Sequence, residues 1–261
     1  MSTVQSSDGT NIAFDRSGEG APLILVGGAF SERAHPVMAQ LAEQMAPHFT
    51  VYNYDRRGRG DSGDVETYDI EREIDDLEAL IAEAGGSVRI FGMSSGGNLA
   101  FAAAARGLDI TQIAAYDPPF MVDESRPRPP ADFAEQLAAL AAEDRRGDAV
   151  ELFMVTGMGV PAEIVAQMRP APFWQGLESL AHTLAYDSVL MGDFTLPTER
   201  LRAISVPVLV MDGEKTAPWL RTAARTAAET LPAGQHRSLP DQDAAVDPAV
   251  LAIELKNFLV A

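Results

Sequence analysis

A serine set between glycines is the feature of the sequence whose chemistry is easiest to infer. Residues 92–96 read Gly-Met-Ser-Ser-Gly; they follow the apolar run Val88 to Phe91 and open an alanine-rich stretch, Ser95 to Arg106, with a helical pattern. A G-x-S-x-G motif between a buried strand and a helix is typical of a sharp turn that exposes the serine hydroxyl as a nucleophile. We therefore predict that Ser94 is a nucleophile, against the alternative of an ordinary Gly- and Ser-rich helix start.

A nucleophilic serine also needs hydrogen-bond donors for the oxyanion that forms on its substrate. A helix that begins at Ser95 directs its free amides and the positive end of its dipole toward Ser94, so the Ser95 amide is one expected donor. The second donor is expected in the Gly-Gly-Ala-Phe turn, residues 27–30, that follows another apolar run. Within this turn we favour the amide of Ala29 or of Phe30.

Short apolar runs alternate with helical patterns along most of the chain. The predicted strands are residues 22–26, 50–54, 88–91, 113–116 and 208–211. The predicted helices are residues 37–45, 70–83, 95–106, 220–231 and 248–259. This alternation predicts an α/β fold with a mostly parallel, doubly wound sheet. Segments 3–5 and 12–16, around Asp8-Gly9, predict an antiparallel hairpin at its front.

The alternation stops in one long segment, residues 118–203, which begins with a proline-rich stretch and continues with helical patterns at 133–143 and 149–155. We predict that residues 1–117 and 204–261 form the α/β core and that residues 118–203 form a helical lid inserted into it. The aromatic and methionine side chains of this segment either line a pocket or pack the lid onto the core. The side chains expected to contact a substrate are Phe30, Met93, Phe120, Trp174 and His182.

Composition narrows the function classes further. The chain has 46% hydrophobic and 22% charged residues, which favours a folded domain over disorder. Its net charge of −18 opposes binding to nucleic acid or an anionic membrane, and the lack of cysteine excludes disulfides and thiol chemistry. A signal peptide and a membrane-spanning run are both missing from the pattern, so we expect a cytoplasmic protein with a small-molecule substrate. The sequence leaves a homodimer open.

A second glycine motif, residues 58–63, matches the G-x-G-x-x-G pattern of dinucleotide sites. The next helical pattern begins only near Ile70, so no helix end is placed to bind a pyrophosphate. We interpret the segment as a loop held by Arg56 and Arg57, which we expect to pair with nearby carboxylates. We predict no cofactor and no metal site.

With these pieces in place, the whole chain resembles the α/β-hydrolase superfamily, and in particular small actinobacterial-type hydrolases that share a similar Tyr-Asp-Arg-Arg-Gly-Arg-Gly-Asp-Ser segment, residues 54–62 here. The resemblance implies a lid between the sixth and seventh strands and a Ser-acid-His triad in that chain order. Asp117, after the predicted strand 113–116, is our first choice for the acid. Asp212 and Glu214 are reserves, because the more common acid position holds Thr216.

The histidine of such a triad is the difficulty. Alignment of residues 239–248 on Val-Asp-Pro puts Ala244 where similar proteins have histidine. Three explanations stay open: an engineered His-to-Ala substitution, a naturally degenerate hydrolase, or chemistry other than hydrolysis. Another histidine, His182 of the lid, is the one alternative base that we keep.

We therefore predict a serine hydrolase acting on an ester, thioester or lactone of a small, largely apolar molecule, with Ala244 marking a lost or replaced base. A non-hydrolytic cyclase or lyase on the same fold and a ligand-binding pseudoenzyme are the alternatives. Loss of the histidine alone costs a serine protease about 10⁶ in turnover. Hydrolysis by this chain should therefore be slow.

Overall fold

The sheet is the centre of the molecule in the computed structural model, which describes residues 1–260. Its eight strands are β1 (Ser2–Gln5), β2 (Asn11–Ser17), β3 (Ala21–Val26), β4 (Phe49–Tyr54), β5 (Val88–Met93), β6 (Ile110–Tyr116), β7 (Val208–Gly213) and β8 (Gly234–Leu239). They lie in the order β1-β2-β4-β3-β5-β6-β7-β8. The pairs β1/β2 and β2/β4 are antiparallel and all other pairs are parallel, so the predicted front hairpin and mostly parallel sheet are confirmed.

Helices follow most of the strands and fill the long connection between β6 and β7. The core helices are α1 (Pro36–Met45), α2 (Ile70–Glu83), α3 (Ser95–Arg106), α10 (Pro218–Thr230) and α11 (Pro248–Leu259). The helices of the connection are α4 (Phe133–Ala142), α5 (Arg146–Leu152), α6 (Ala162–Met168), α7 (Trp174–Ser179), α8 (Leu184–Met191) and α9 (Thr198–Arg202). A π-helical turn, Phe153–Gly157, continues α5, and a 3-10 turn, Ala181–Thr183, leads into α8.

Both faces of the sheet are covered, as a doubly wound sheet requires. Successive residues of β3 show the alternation: Ile24 and Val26 face the cluster that includes α2, α3 and α10, whereas Leu23 and Leu25 face the cluster that includes α1 and α11. All four side chains are fully buried. The sequence of a strand buried on both sides is therefore a continuous apolar run rather than an alternation of apolar and polar residues.

Helix ends explain why several predicted boundaries are right. The Asp69 carboxylate accepts from the amide of Glu71 at the start of α2, and Asp247 accepts from Ala249 at the start of α11. Helix α3 ends at Gly107, whose φ of 94° lies in the left-handed region that glycine tolerates. The bounds predicted for α2, α3 and α11 are those observed.

The connection from residue 118 to residue 203 has a hydrophobic cluster of its own. Its two ends meet where the Met121 amide donates to the carbonyl oxygen of Phe194 at 2.6 Å. Of the aromatic and methionine side chains expected to line a pocket or pack, Phe173 is exposed; the buried ones are Phe133, Phe153, Met154, Trp174, Met191 and Phe194. All six belong to this hydrophobic cluster, and Met191 also lines a cavity, so a pocket-lining role stays open for that residue. We call residues 118–203 the insertion; its exact division from the core stays a prediction.

Parallel strands bring their carboxyl ends to one edge of a sheet, and this edge is where the site is built. Strands β3, β5, β6, β7 and β8 are neighbours and run in the same direction. The segments that follow them therefore converge. No helix within residues 1–260 has the length and apolar character needed to cross a membrane.

Candidate active site

Ser94 occupies a strained turn between β5 and α3. Its φ and ψ are 50° and −123°, outside the regions that non-glycine residues ordinarily adopt. The turn is held because the Ser94 amide donates to the carbonyl oxygen of Tyr116 on the neighbouring strand at 2.8 Å. Strain of this kind persists where the surrounding structure enforces it and is concentrated at functional sites.

Two glycines make this turn sterically allowed. A Cβ on Gly92 would lie 2.4 Å from the carbonyl oxygen of Gly96, and a Cβ on Gly96 would lie 2.3 Å from that of Val26. Both distances are far inside van der Waals contact, and both partners are backbone atoms that cannot move aside. The glycines of the motif therefore have a packing reason that does not depend on sequence analogy.

The turn after β3 approaches Ser94 closely. A Cβ on Gly28 would lie only 2.9 Å from the Cβ of Ser94. Next to it, Phe30 has a φ of 58° and packs edge-on against Phe153 of the insertion, with 5.6 Å between ring centroids. Ala29 is half-buried between them. The turn predicted to supply an oxyanion donor thus lies against the predicted nucleophile.

Ser95 begins α3, so its amide has no acceptor within the helix. Its hydroxyl is bound in the interior, where it donates to Asp187 of α8 at 2.6 Å. The side chain of Ser95 therefore fixes the first residue of the helix while the amide stays free to donate.

Asp117 follows β6, one strand away from Ser94. It has a φ of 49° and is 5% exposed. Its Oδ2 accepts from the Thr216 hydroxyl at 2.9 Å, whereas its buried Oδ1 has no hydrogen-bond partner in the described part of the chain. Burial raises the pKa of Asp117 to about 7 despite the hydrogen bond from Thr216, and the carboxylate of Asp212 adds to the rise.

Asp212 and Glu214, the alternatives to Asp117 as the triad acid, have different environments from that of Asp117. Asp212 is 1% exposed and accepts from the hydroxyl of Ser238 at 2.6 Å and from Nε2 of His236 at 2.5 Å. Glu214 is exposed. Thr216, in the more common acid position, is the residue that binds Asp117, so the two positions face one another.

The loop after β8 carries Ala244 in an exposed position. The loop is fixed at its base, where the Tyr116 hydroxyl donates to the carbonyl oxygen of Asp243 at 2.7 Å and the Lys215 amide donates to that of Gln242 at 2.8 Å. It therefore reaches the same sheet edge as Asp117. The methyl group of Ala244 offers no proton acceptor there.

None of the four histidines, all within the described residues, forms a hydrogen bond with Ser94. The His182 ring is held by the carbonyl oxygen of Gly58 at 2.8 Å, and the His236 ring is held by Asp212. The remaining two histidines flank α1 and are His35 and His48. The structure thus does not bring His182 to Ser94 as a bonded base.

The remaining predicted substrate residues lie in different places. Met93 is half-buried beside Ser94, whereas Trp174 is 4% exposed and donates to Glu178 within the insertion at 3.0 Å. Phe120 lines a cavity of about 270 Å³ between α3, α8 and α9. Ser94 is not among the residues that line this cavity. Contact of Met93, Trp174 and Phe120 with substrate stays a prediction.

Buried ion pairs hold the loop after β4, as predicted for Arg56 and Arg57. Arg56 binds Glu73 through two nitrogens at 2.5 and 2.9 Å, and Arg57 binds Asp76 at 2.6 and 2.7 Å. The prediction did not extend to Arg59, which is 1% exposed and reaches the interior as well. No periodic pattern marks it, and its carboxylate partner lies far away in the sequence.

No group of three or more His, Cys, Asp or Glu side chains in residues 1–260 is arranged to hold a metal ion. The expectation of a protein without metal or cofactor stays a prediction.

Comparison with known proteins gives a consistent result over almost the whole chain. A model of the alpha/beta hydrolase family matches residues 23–249. An alpha/beta hydrolase from Sphaerobacter thermophilus, known from a crystal structure, is 54% identical to this chain in sequence. The two structures have a TM-score of 0.93, and the match covers 99% of this chain and 100% of that one.

More distant relatives carry named activities. The bifunctional esterase/perhydrolase DCH of Acinetobacter calcoaceticus is 27% identical over 254 residues, which are 92% of this chain and 91% of that protein. A thermophilic esterase from Thermogutta terrifontis is 24% identical, with a TM-score of 0.72 over 99% of this chain and 97% of that one. At that identity the likeness to the second protein concerns the fold alone.

Proposed function

The chain belongs to the alpha/beta hydrolase family, and we propose that it transfers or hydrolyses acyl groups at Ser94, with an ester, thioester or lactone of a small, largely apolar molecule as substrate. The resemblance inferred from the sequence is thereby confirmed at the level of the family. The observation that carries the proposal is the strained turn at Ser94, packed against a second turn that offers backbone amides. The name of the esterase/perhydrolase relative supports an ester-type substrate.

In the proposed reaction the Ser94 hydroxyl oxygen attacks the acyl carbon. The carbonyl oxygen of the substrate becomes an oxyanion, which the amides of Ala29 and Ser95 stabilise. Expulsion of the alcohol or thiol leaves an acyl-enzyme, and water then releases the acid. Preorganised amides of this kind supply a large share of the rate enhancement in acyl transfer, about 10² to 10³ for a single donor.

The proton of Ser94 needs an acceptor, and the histidine that usually takes it is replaced by Ala244. An ordinary carboxylate is too weak a base, but burial raises the pKa of Asp117 to about 7. Its Oδ1 has no partner, and Asp117 directly follows Tyr116, whose carbonyl oxygen accepts from the Ser94 amide. We assign Asp117 as the base that accepts the Ser94 proton, directly or through one water. The acid of a complete triad would instead orient a histidine.

Covalent labelling tests the nucleophile. A fluorophosphonate should label the wild-type protein at Ser94, and Ser94→Ala should lose both the label and the turnover of activated esters. The matched control is Ser179→Ala, an exposed serine of the insertion, which should label and turn over as the wild type does. Activity that survives Ser94→Ala would refute the proposal.

The pH profile tests Asp117. Turnover should rise with pH through about 7, because the carboxylate form is the base. Thr216→Val removes the hydrogen bond that stabilises this carboxylate, so the midpoint of the profile should move to higher pH. A profile that is flat between pH 5 and pH 8, or that does not move in Thr216→Val, would exclude Asp117 as the base.

The same vacancy of the histidine position favours a second candidate, a non-hydrolytic cyclase or lyase in which Ser94 donates only a hydrogen bond. The Ser94→Ala variant separates the two candidates. A cyclase or lyase forms no covalent bond to Ser94, so it should keep part of its own activity in this variant. A ligand-binding pseudoenzyme would show no turnover of any activated ester.

A further inference from the structure

We propose that Arg59, held in place by Asp187 of the insertion, positions the Ala29 amide for oxyanion binding by holding the carbonyl oxygen of the same peptide group. This inference rests on the proposed acyl transfer at Ser94. It assigns to Arg59 and Asp187 a positioning function that neither residue type nor sequence spacing indicates.

Arg59 makes its contacts entirely in the interior. One terminal nitrogen, Nη1, donates to the carbonyl oxygen of Gly28 at 2.5 Å and to that of Ser31 at 3.3 Å. The other, Nη2, donates to Oδ2 of Asp187 at 2.6 Å. The side chains of Arg59 and Asp187 are 1% and 0% exposed. The guanidinium group therefore spans from the turn after β3 to helix α8 without contact to solvent.

Because a peptide group is planar, the contact of Arg59 with the Gly28 carbonyl oxygen also fixes the direction of the Ala29 N–H. The carbonyl oxygen of Gly28 and the N–H of Ala29 belong to one peptide group, and the chain has no cis peptide bond among the residues described. In a trans peptide the C=O and N–H bonds point in opposite directions. When Arg59 holds the carbonyl oxygen on one side, the N–H of Ala29 must point to the other side.

Ser94 lies next to this peptide group, on the side that we assign to the N–H of Ala29. Gly28 approaches Ser94 so closely that a Cβ on Gly28 would lie 2.9 Å from the Cβ of Ser94. A charged donor on the carbonyl oxygen also polarises the peptide group, which strengthens its N–H as a donor. Arg59 therefore sets both the direction and the strength of the Ala29 amide.

Asp187 connects this arrangement to the second oxyanion donor. Its Oδ1 accepts from the hydroxyl of Ser95 at 2.6 Å and from Arg56 at 2.8 Å, while its Oδ2 accepts from Arg59. Burial by itself raises the pKa of Asp187, but the guanidinium groups of Arg59 and Arg56 hold it below its usual value, so Asp187 stays charged. One carboxylate of the insertion thus fixes the two backbone segments that carry both donors.

The test compares Arg59→Lys with a matched variant, Arg57→Lys. Arg57 lies two positions earlier in the same loop, is 1% exposed and is equally paired, with Asp76 and Asp8, but it holds neither turn of the site. Both substitutions keep the positive charge and disturb a buried ion pair. We expect Arg59→Lys to lower kcat for activated esters, and the rate of fluorophosphonate labelling, by about 10- to 100-fold, a part of the value of one oxyanion donor. KM should change little, and Arg57→Lys should lower thermal stability without lowering kcat.

A second variant, Asp187→Asn, keeps the shape of the side chain and should lower kcat in the same direction by a smaller factor. If Arg59→Lys does not fold, this variant decides. Equal loss of kcat in Arg59→Lys and Arg57→Lys, or wild-type labelling rates in folded Arg59→Lys or Asp187→Asn, would overturn the positioning function and leave Ser94 catalysis intact. Failure of the wild-type protein to be labelled at Ser94 would instead remove the proposed function and this inference with it.

Discussion

The two sides of Ser94 are built differently. On the nucleophile side, the turns after β3 and β5 are packed backbone against backbone, and the buried guanidinium of Arg59 holds one of them from behind. On the base side, the loop after β8 is attached through backbone carbonyl groups at its start and carries Ala244 exposed at the surface. The backbone is held on both sides, since a Cβ on Gly213 of β7 would lie 2.4 Å from the carbonyl oxygen of Gln242, but only the base side presents an exposed side chain at its proposed functional position.

The difference shows which parts of such a site tolerate change. A glycine at position 92 or 96 cannot be replaced without moving the adjacent backbone, of α3 for Gly92 and of β3 for Gly96, because the space for a Cβ does not exist. An exposed loop residue makes few contacts that depend on its identity, so a change there alters chemistry and leaves the fold in place. We therefore predict that a single substitution on the base side changes hydrolysis without disturbing the fold.

A histidine placed at the proposed base position should have the largest effect. Ala244→His should raise Ser94-dependent turnover of activated esters by about 10³ or more, because a histidine base accounts for about 10⁶ in a complete triad and a graft recovers part of it. Steady-state kinetics on an ester panel measure the gain.

Ala245→His is the matched control, since the neighbouring residue is exposed as well and its side chain occupies a different place on the loop. Comparable gains in both variants would point to a general effect of an added imidazole. No gain in Ala244→His would mean that the base side serves a reaction other than hydrolysis.

Replacing the buried carboxyl group should change activity and stability in opposite directions. Asp117→Asn removes the proposed base and should lower turnover at pH 8 by about 10² or more. The pKa of Asp117 is raised from 3.8 to about 7 on folding, so its contribution to stability is present below pH 4 and is lost as the pH rises to 7. The variant should therefore match the wild type near pH 4 and exceed it at pH 8 by up to about 4 kcal/mol in free energy of unfolding.

Urea denaturation of both proteins at the two pH values measures that difference. A wild-type protein that gains stability relative to Asp117→Asn with rising pH would show that the carboxylate is stabilised in the folded state, contrary to the geometry of an unpartnered Oδ1.

On the nucleophile side, a single methyl group should be sufficient to disturb the site. Gly96→Ala places a Cβ 2.3 Å from the carbonyl oxygen of Val26, and we expect a loss of about 1 to 3 kcal/mol in free energy of unfolding together with most of the Ser94 labelling. Gly176→Ala is the control: Gly176 lies in α7, where an added Cβ would have no other atom within 4 Å outside the helix itself, and the variant should be neutral or stabilising by up to about 1 kcal/mol. Full labelling of Gly96→Ala would show that the two turns are not rigidly packed.

Much of the fold was predictable because local patterns agree with it. The helices α2, α3 and α11 have capping residues or a terminal glycine at the positions where the pattern begins or ends. The short helices of the insertion, α6 to α9, have between five and eight residues each, too few for a periodicity to be recognised. The sequence predicts a helical insertion here but none of these four helices individually.

The site was predictable where chemistry is local in sequence. Ser94 and the turn at residues 27–30 are short motifs, and the structure places them against one another. Asp187 lies 128 residues from Arg59, and nothing in the spacing links the two. The raised pKa of Asp117 likewise depends on burial by distant segments, which a single sequence does not reveal.

The smallest effect should come from His182, the one other base considered for Ser94. Its Nε2 is held by the carbonyl oxygen of Gly58 at 2.8 Å, so the ring is part of the contact between the insertion and the loop after β4. His182→Ala should therefore cost about 1 kcal/mol in stability, the value of one hydrogen bond, and leave Ser94-dependent turnover within a factor of two or so of the wild type. A fall in kcat of about 10² or more without loss of stability would instead place the base on the insertion, and the exposed loop at Ala244 would no longer be the side that limits catalysis.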